Sequence, residues 1–96
     1  MNSSAEKNHL LPRIRSVTPE AGYLLALEFT SGESGIYDCK PLLDFGVFGE
    51  LRDEAYFRQV CVVGGTVAWP HEQDICPDTL YLESRPRAEP IAPLAI

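Results

Sequence analysis

The sequence lacks any apolar run long enough to cross a membrane. No stretch approaches the ~18 consecutive apolar residues that a spanning helix needs. Residues 1–9 are polar apart from single apolar positions, and they contain no segment resembling the apolar core of a secretory signal. We therefore expect a cytoplasmic protein without a membrane segment.

Basic side chains are also scarce. Eight Lys and Arg residues stand against 14 acidic ones, which gives a net charge of -6. Because affinity for nucleic acid comes largely from basic groups that replace counterions on phosphates, this balance argues against direct nucleic-acid binding. An adaptor for nucleic acid would need four arginines to converge on one face, namely Arg13, Arg15, Arg52 and Arg58.

Cysteines are few and unpaired in pattern. Cys39, Cys61 and Cys76 are odd in number and form no Cys-x-x-Cys motif. This usage favours free thiols in a reducing compartment. We expect Cys61 to be buried within its β-branched run, and Cys76 to be buried as a small apolar residue.

What the sequence does contain suits one small domain. Its 96 residues are 45% hydrophobic, enough for a single core. We predict a flexible N-terminal tail over 1–10, one domain over 11–84, and an extended tail over 85–96. Three prolines in that last stretch, Pro86, Pro90 and Pro93, argue against a helix or a central strand. The tail is apolar, so it could pack on its own domain or on a partner.

Strand periodicity dominates the first half of the domain. A first strand is predicted over 13–18. Tyr23, Leu25, Leu27 and Phe29 then fall on one face, and the polar Glu28 and Thr30 fall on the other, which is the period of a half-buried strand. A turn containing Gly32 leads into a third strand over 34–38, so that 23–38 forms a hairpin.

The second half mixes helices with another hairpin. Residues 40–49 are irregular, and their Leu and Phe side chains are expected to lie across the core. Asp53 can cap a short helix over 53–59, and Pro77 can open a second through about Ser84. Gly64-Gly65 predicts a hairpin over 60–69. The fold class is α+β, with a largely antiparallel five-stranded sheet and two short helices.

A specific block of residues runs from Trp69-Pro70 through Asp74 and Pro77 to Leu80-Tyr81. Through this block the chain resembles a bacterial family, the domain of unknown function 2442, over about 13–82. The other residues that carry the resemblance are Ile14, Val17, the Tyr23–Phe29 strand, Pro41-Leu42-Leu43, Phe48, Leu51 and Phe57. The resemblance implies a small α+β domain with no assigned enzymatic activity. In some relatives a helix-turn-helix domain follows, which implies a regulatory or accessory role beside a partner. That link to DNA does not carry over to the residues matched here.

The loop that this block contains supplies the candidate interaction site, which comprises Trp69, Pro70, His71, Asp74 and Asp78. An exposed Trp beside Pro is typical of a binding hot spot, but a Trp at a strand end is more often part of the core. The sequence does not decide whether the Trp69–Pro70 bond is cis.

The competing interpretation is that the same loop forms a metal site or a catalytic site. His71, Asp74, Cys76 and Asp78 lie within eight residues, but their spacing matches no zinc pattern. A cysteine nucleophile would need an exposed, stabilised thiolate near His71. The simpler interpretation gives each residue a local role, with Asp74 fixing the loop and Asp78 capping a helix. We predict no catalytic, cofactor-binding or metal-binding residue.

The sequence therefore favours a non-enzymatic protein–protein interaction or accessory module. Contact through a sheet edge, the helix-bearing face or the proline-rich tail would suit it, and the partner could be a second copy in a homodimer. The alternative is a small ligand- or metal-binding protein, or an enzyme, that uses the loop 69–78. A deep cleft lined by His71, Asp74 and Cys76 would favour that alternative.

Overall fold

The computed structural model describes residues 11–86, which form two antiparallel sheets and short helices. The strands are β1 (Ile14–Glu20), β2 (Leu24–Phe29), β3 (Ser34–Asp38), β4 (Cys61–Val63), β5 (Thr66–Ala68), β6 (Asp74–Ile75) and β7 (Arg85–Pro86). The α-helices are α1 (Glu54–Phe57) and α2 (Pro77–Glu83), and 3₁₀ helices cover Lys40–Leu42 and Gly46–Arg52. The predicted tail over 1–10, and the rest of the 85–96 tail beyond β7, lie outside the described residues.

The α+β class is confirmed, but the single five-stranded sheet is wrong. One sheet has the order β1-β2-β3-β7, and a second has the order β4-β5-β6. The Ile14 amide donates to the Gly65 carbonyl at 2.8 Å, where β1 meets the turn of the second hairpin. The two sheets nevertheless do not form a continuous ladder, because β5 pairs onward with β6 rather than with a strand of the first sheet.

Both extra strands are two residues long, which is too short for a periodic sequence signal. β7 pairs with β3 through Gly35 opposite Pro86 and Ile36 opposite Arg85. Gly35 permits this close approach, since a Cβ there would lie 2.7 Å from the Ser84 hydroxyl oxygen. Arg85 and Pro86, predicted to begin the tail, therefore lie in the first sheet.

The predicted hairpins and α-helices are found close to their expected positions. β2 pairs with β3, and β4 pairs with β5 across Gly64 and Gly65, whose φ angles are 61° and 84°. The Asp53 side chain caps α1 by accepting from the Ala55 amide at 3.1 Å. The prediction of an irregular 40–49 segment is wrong, because 3₁₀ turns form there. Pro41 suits the first turn of such a helix, where its missing N–H has no partner to lose.

A single core lies between the sheets and helices. The inward row predicted for β2 is confirmed, since Leu25, Leu27 and Phe29 are buried and Tyr23 is packed against them at the strand entrance. The other buried apolar side chains are Ile14, Tyr37, Cys39, Leu51, Tyr56, Phe57, Val67, Trp69, Ile75 and Leu80. In the part of the chain from 11 to 86, no helix has the length and apolar character needed to cross a bilayer.

Replacement of Leu25 by Ala should lower the free energy of unfolding by about 2–5 kcal/mol, because the side chain is fully buried and leaves a cavity. Urea denaturation followed by tryptophan fluorescence measures the effect. The matched control is Leu82→Ala on α2, where the side chain is 69% exposed. It should change stability by less than about 0.5 kcal/mol. Equal losses in the two variants would contradict the inward orientation of β2.

Candidate functional site

A buried amide organises the loop that the sequence singled out. Gln73 is 3% exposed, and it is the one polar residue among the buried side chains of residues 11–86. Its Oε1 accepts from the Tyr56 hydroxyl at 2.6 Å, and its Nε2 donates to the Val47 carbonyl at 3.0 Å and to Glu50 Oε1 at 2.8 Å. One side chain therefore ties the 69–78 loop to both the second 3₁₀ helix and α1.

His71 completes this network from the surface side. Its ring stacks on Tyr56 with centroids 5.2 Å apart, and its backbone N–H donates to the Tyr56 hydroxyl at 2.8 Å. Its Nδ1 lies 2.7 Å from Glu50 Oε2, so the two carboxylate oxygens of Glu50 contact His71 and Gln73 separately. The imidazole is oriented by these contacts, and its second ring nitrogen is the one available to solvent or a partner.

Trp69 belongs to the core, which confirms the simpler of its two interpretations. It is 3% exposed, and its indole N–H donates to the Phe57 carbonyl at 2.8 Å. Its backbone N–H donates to the Gln73 carbonyl at 2.9 Å, which closes the turn that contains His71. The Trp69–Pro70 bond is trans, and Pro70 is exposed. The tryptophan thus anchors the loop and cannot itself be a contact residue on the surface.

The two aspartates of the predicted site take no part, through their side chains, in the hydrogen-bond network around Gln73. Asp74 is exposed on β6, where its backbone pairs opposite Ala68. Asp78 is exposed in the first turn of α2, where the helix dipole favours a carboxylate, but the N-cap residue is Cys76, so the capping role predicted for Asp78 is wrong. Within residues 11–86, no three His, Cys, Asp or Glu side chains come together in a group that could hold a metal ion.

The cysteines differ from expectation in their exposure. Cys61 and Cys76 are exposed, so the predictions that each is buried are wrong. β4 is an edge strand with all three residues exposed, which a β-branched run alone does not reveal. Cys39 is fully buried after β3, and burial raises the pKa of its thiol to about 12, with the nearby Asp38 adding to the shift. Its thiolate is therefore not available near neutral pH.

Phe45, which the sequence placed against the core, is instead exposed, and Val47 is exposed as well. Phe45 is 65% exposed and Val47 is 67% exposed, whereas Phe48 beside them is packed against the core. We call the pair Phe45 and Val47 the apolar loop surface. The two residues are two positions apart in the chain, and exposed apolar groups of this kind are candidates for a contact surface. No sequence signal separates Phe45 from Phe48, since both are apolar residues of the same segment.

The backbone that carries this surface is held by several hydrogen bonds. Arg52 Nε donates to the Leu43 carbonyl at 3.1 Å, and its guanidinium also pairs with the Asp44 carboxylate. The Phe45 amide donates to the Leu42 carbonyl at 2.9 Å. Together with the bond from Gln73 to the Val47 carbonyl, these contacts fix the loop on both sides of Phe45. The apolar side chains are thus displayed by an ordered backbone.

Comparison with known protein families identifies the family of this chain. The family model described as protein of unknown function (DUF2442) matches residues 14–86, which covers both sheets, both α-helices and the apolar loop surface. The chain belongs to the DUF2442 family. Comparison with curated proteins and with solved structures returns no significant match. The resemblance noted in the sequence is thereby confirmed as family membership, and the DUF2442 family is itself uncharacterised.

Replacement of Gln73 by Ala should destabilise this DUF2442 domain by about 2–3 kcal/mol, because the buried Tyr56 hydroxyl loses its acceptor. Thermal unfolding by circular dichroism measures the loss. Gln59→Ala is the control, since Gln59 is exposed after α1. A Gln73→Ala variant as stable as Gln59→Ala would show that the amide network does not hold the loop.

The three thiols should differ sharply in reactivity. At about pH 8, a disulfide reagent such as Ellman's should modify Cys61 and Cys76 quickly and Cys39 only after unfolding in urea. Because folding raises the pKa of Cys39 from 9.0 to about 12, its thiol contributes stability below about pH 9, and that contribution is lost as pH rises towards 12. The double variant Cys61→Ser, Cys76→Ser should be unreactive when folded. Rapid reaction of that folded variant would contradict the burial of Cys39.

Proposed function

We propose that this DUF2442 domain is a non-enzymatic protein–protein interaction module that docks a partner through the apolar loop surface. The observation that carries the proposal is the exposure of Phe45 and Val47 on a backbone braced by Arg52 and Gln73. Aromatic anchors with this degree of exposure dominate binding energy at many interfaces. The function proposed is therefore display of a contact surface rather than catalysis.

Bracing matters because ordering a loop upon binding costs free energy. The hydrogen bonds from Arg52 to the Leu43 carbonyl and from Gln73 to the Val47 carbonyl are made within the domain itself. A partner that buries Phe45 then does not have to order the loop as well, and more of the contact energy appears as affinity. The same contacts make the surface reproducible in shape, which favours a specific partner.

Carboxylates next to the surface have partners within the domain. Asp44 forms a salt bridge with Arg52, and Glu50 contacts the His71 ring. A docking partner consequently meets an apolar centre whose neighbouring polar groups already have partners, and this suits another apolar patch. A second copy of this chain satisfies that description, so a homodimer is included in the proposal.

The loop 69–78 supports an enzyme or metal site less well. His71 is held by Glu50 and Tyr56, and Trp69 is buried with its indole N–H on the Phe57 carbonyl. The exposed Asp74, Cys76 and Asp78 form no metal-binding group with His71 among residues 11–86. Three cavities in the described part of the chain have volumes of about 350, 250 and 300 Å³, and none of the three is lined by a residue of the loop 69–78. The loop acts in this proposal as the support of the apolar loop surface.

The double variant Phe45→Ser, Val47→Ser tests the proposal. The tagged full chain is used as bait in its own cells, and captured proteins are quantified by mass spectrometry against the wild type. A specific partner should be reduced by about tenfold or more in the double variant, because both anchors of the contact are removed. Light scattering on the purified chain reports loss of a homodimer in the same variant.

The matched control is Val63→Ser, which removes a 55% exposed apolar side chain on β4. It should retain the partner, and circular dichroism should show that both variants are folded. Equal capture by wild type and double variant would refute the proposed surface. Capture of no partner by the wild type, together with a monomeric mass, would refute the interaction module.

A further inference from the structure

A shallow cavity lies between the β2–β3 turn and α2, and no function has yet been assigned to it. Its volume is about 250 Å³. It is lined from the β2–β3 hairpin by Phe29, Glu33 and Ser34, and from α2 and the residues after it by Tyr81, Leu82, Ser84 and Pro86. The cavity therefore combines one carboxylate and two serines with aromatic and aliphatic walls, which suits a long cationic side chain.

Glu33 is oriented within this cavity by two hydroxyl groups. The Tyr81 hydroxyl and the Ser31 hydroxyl each donate to Glu33 Oε1 at 2.8 Å. These hydrogen bonds, that of Tyr81 first, lower the pKa of the Glu33 carboxyl below its ordinary value, so they stabilise its charged form. Both donors use the same oxygen, and Oε2 is left for another donor.

The negative charge of Glu33 is not compensated by a neighbouring basic side chain. Two carboxylates elsewhere have such partners, since Asp38 pairs with Lys40 and Asp44 with Arg52, and Glu50 contacts the His71 ring. Across the described range 11–86, Glu33 forms no salt bridge of this kind. The net charge of -6 on the whole chain also favours the approach of a cation.

The walls supply the apolar part of the complementarity. Tyr81 packs edge-on against Phe29 with ring centroids 5.1 Å apart, which fixes the tyrosine ring at the rim. Leu82 is 69% exposed although it is a large aliphatic side chain. Pro86 adds a rigid ring on β7. A methylene stem laid against Leu82 and Pro86 would cover apolar surface that α2 leaves open.

We propose that this cavity binds an arginine side chain of a partner protein, with the guanidinium on Glu33 Oε2 and the stem against Leu82 and Pro86. Arginine fits better than lysine, because its planar guanidinium both donates to a carboxylate in a fixed direction and stacks on an aromatic ring such as Tyr81. The site is independent of the apolar loop surface, and either proposal can fail without the other.

The test uses N-acetyl-L-arginine amide as the probe and N-acetyl-L-citrulline amide as its neutral counterpart of nearly equal shape. Titration into the ¹⁵N-labelled full chain should shift the backbone amide signals of Ser31, Glu33 and Leu82 in a saturable way with the arginine probe. Glu33→Gln should weaken binding by about threefold to fivefold, the scale of an exposed charge pair. The dispersed spectrum of the variant shows that it is folded.

Glu28→Gln is the matched control, because Glu28 is also exposed and accepts a hydroxyl hydrogen bond, from Ser16 at 3.2 Å. It should bind the arginine probe as the wild type does. Equal shifts with the citrulline probe, or unchanged affinity in Glu33→Gln, would overturn the assignment. Equal weakening in Glu28→Gln would reduce the effect to overall charge and would overturn it as well.

Discussion

The hydrogen bonds of the Gln73 amide are the constraint on which the surface of this domain depends. A buried amide must satisfy both its oxygen and its nitrogen, since an unpaired polar group in a core costs more than a paired one contributes. Gln73 does so by reaching Tyr56 on α1, and Val47 and Glu50 on the second 3₁₀ helix. The segment with little regular structure is thereby held in one arrangement, and Phe45 and Val47 take their exposed positions from it.

Local patterns in the sequence were sufficient to predict the strands that bury one face against the core. Leu25, Leu27 and Phe29 alternate regularly, so β2 and its hairpin with β3 could be predicted, and Gly64-Gly65 marked the second hairpin through its positive φ. Division into two sheets could not be predicted in the same way. It depends on the pairing of β5 with β6 and of β3 with β7, and these two-residue strands carry no period.

In the candidate site as well, the residue types could be recognised from the sequence but their tertiary contacts could not. The distinctive residue types of the Trp69–Asp78 block predict a site there. Trp69 is instead buried in the core, and Asp74 and Asp78 lie outside the hydrogen-bond network. Gln73, which organises the loop, has no sequence signature, because a buried glutamine looks like an exposed one until its partners are known. Its apolarity places Phe45 in the core by expectation, but Phe45 is the extended residue just before the second 3₁₀ helix, whereas Phe48 lies within that helix and packs against the core.

Proline occurs in both outer strands of the four-stranded sheet, as Pro19 in β1 and Pro86 in β7. A proline has no amide hydrogen to offer, so each border of the sheet has an interruption where a stray extended polypeptide would otherwise add on. The first sheet is therefore a poor template for fibril growth, even though its middle strands are rich in leucine and aromatic residues. Its two prolines thus protect the outer edges of the sheet in return for one backbone donor each.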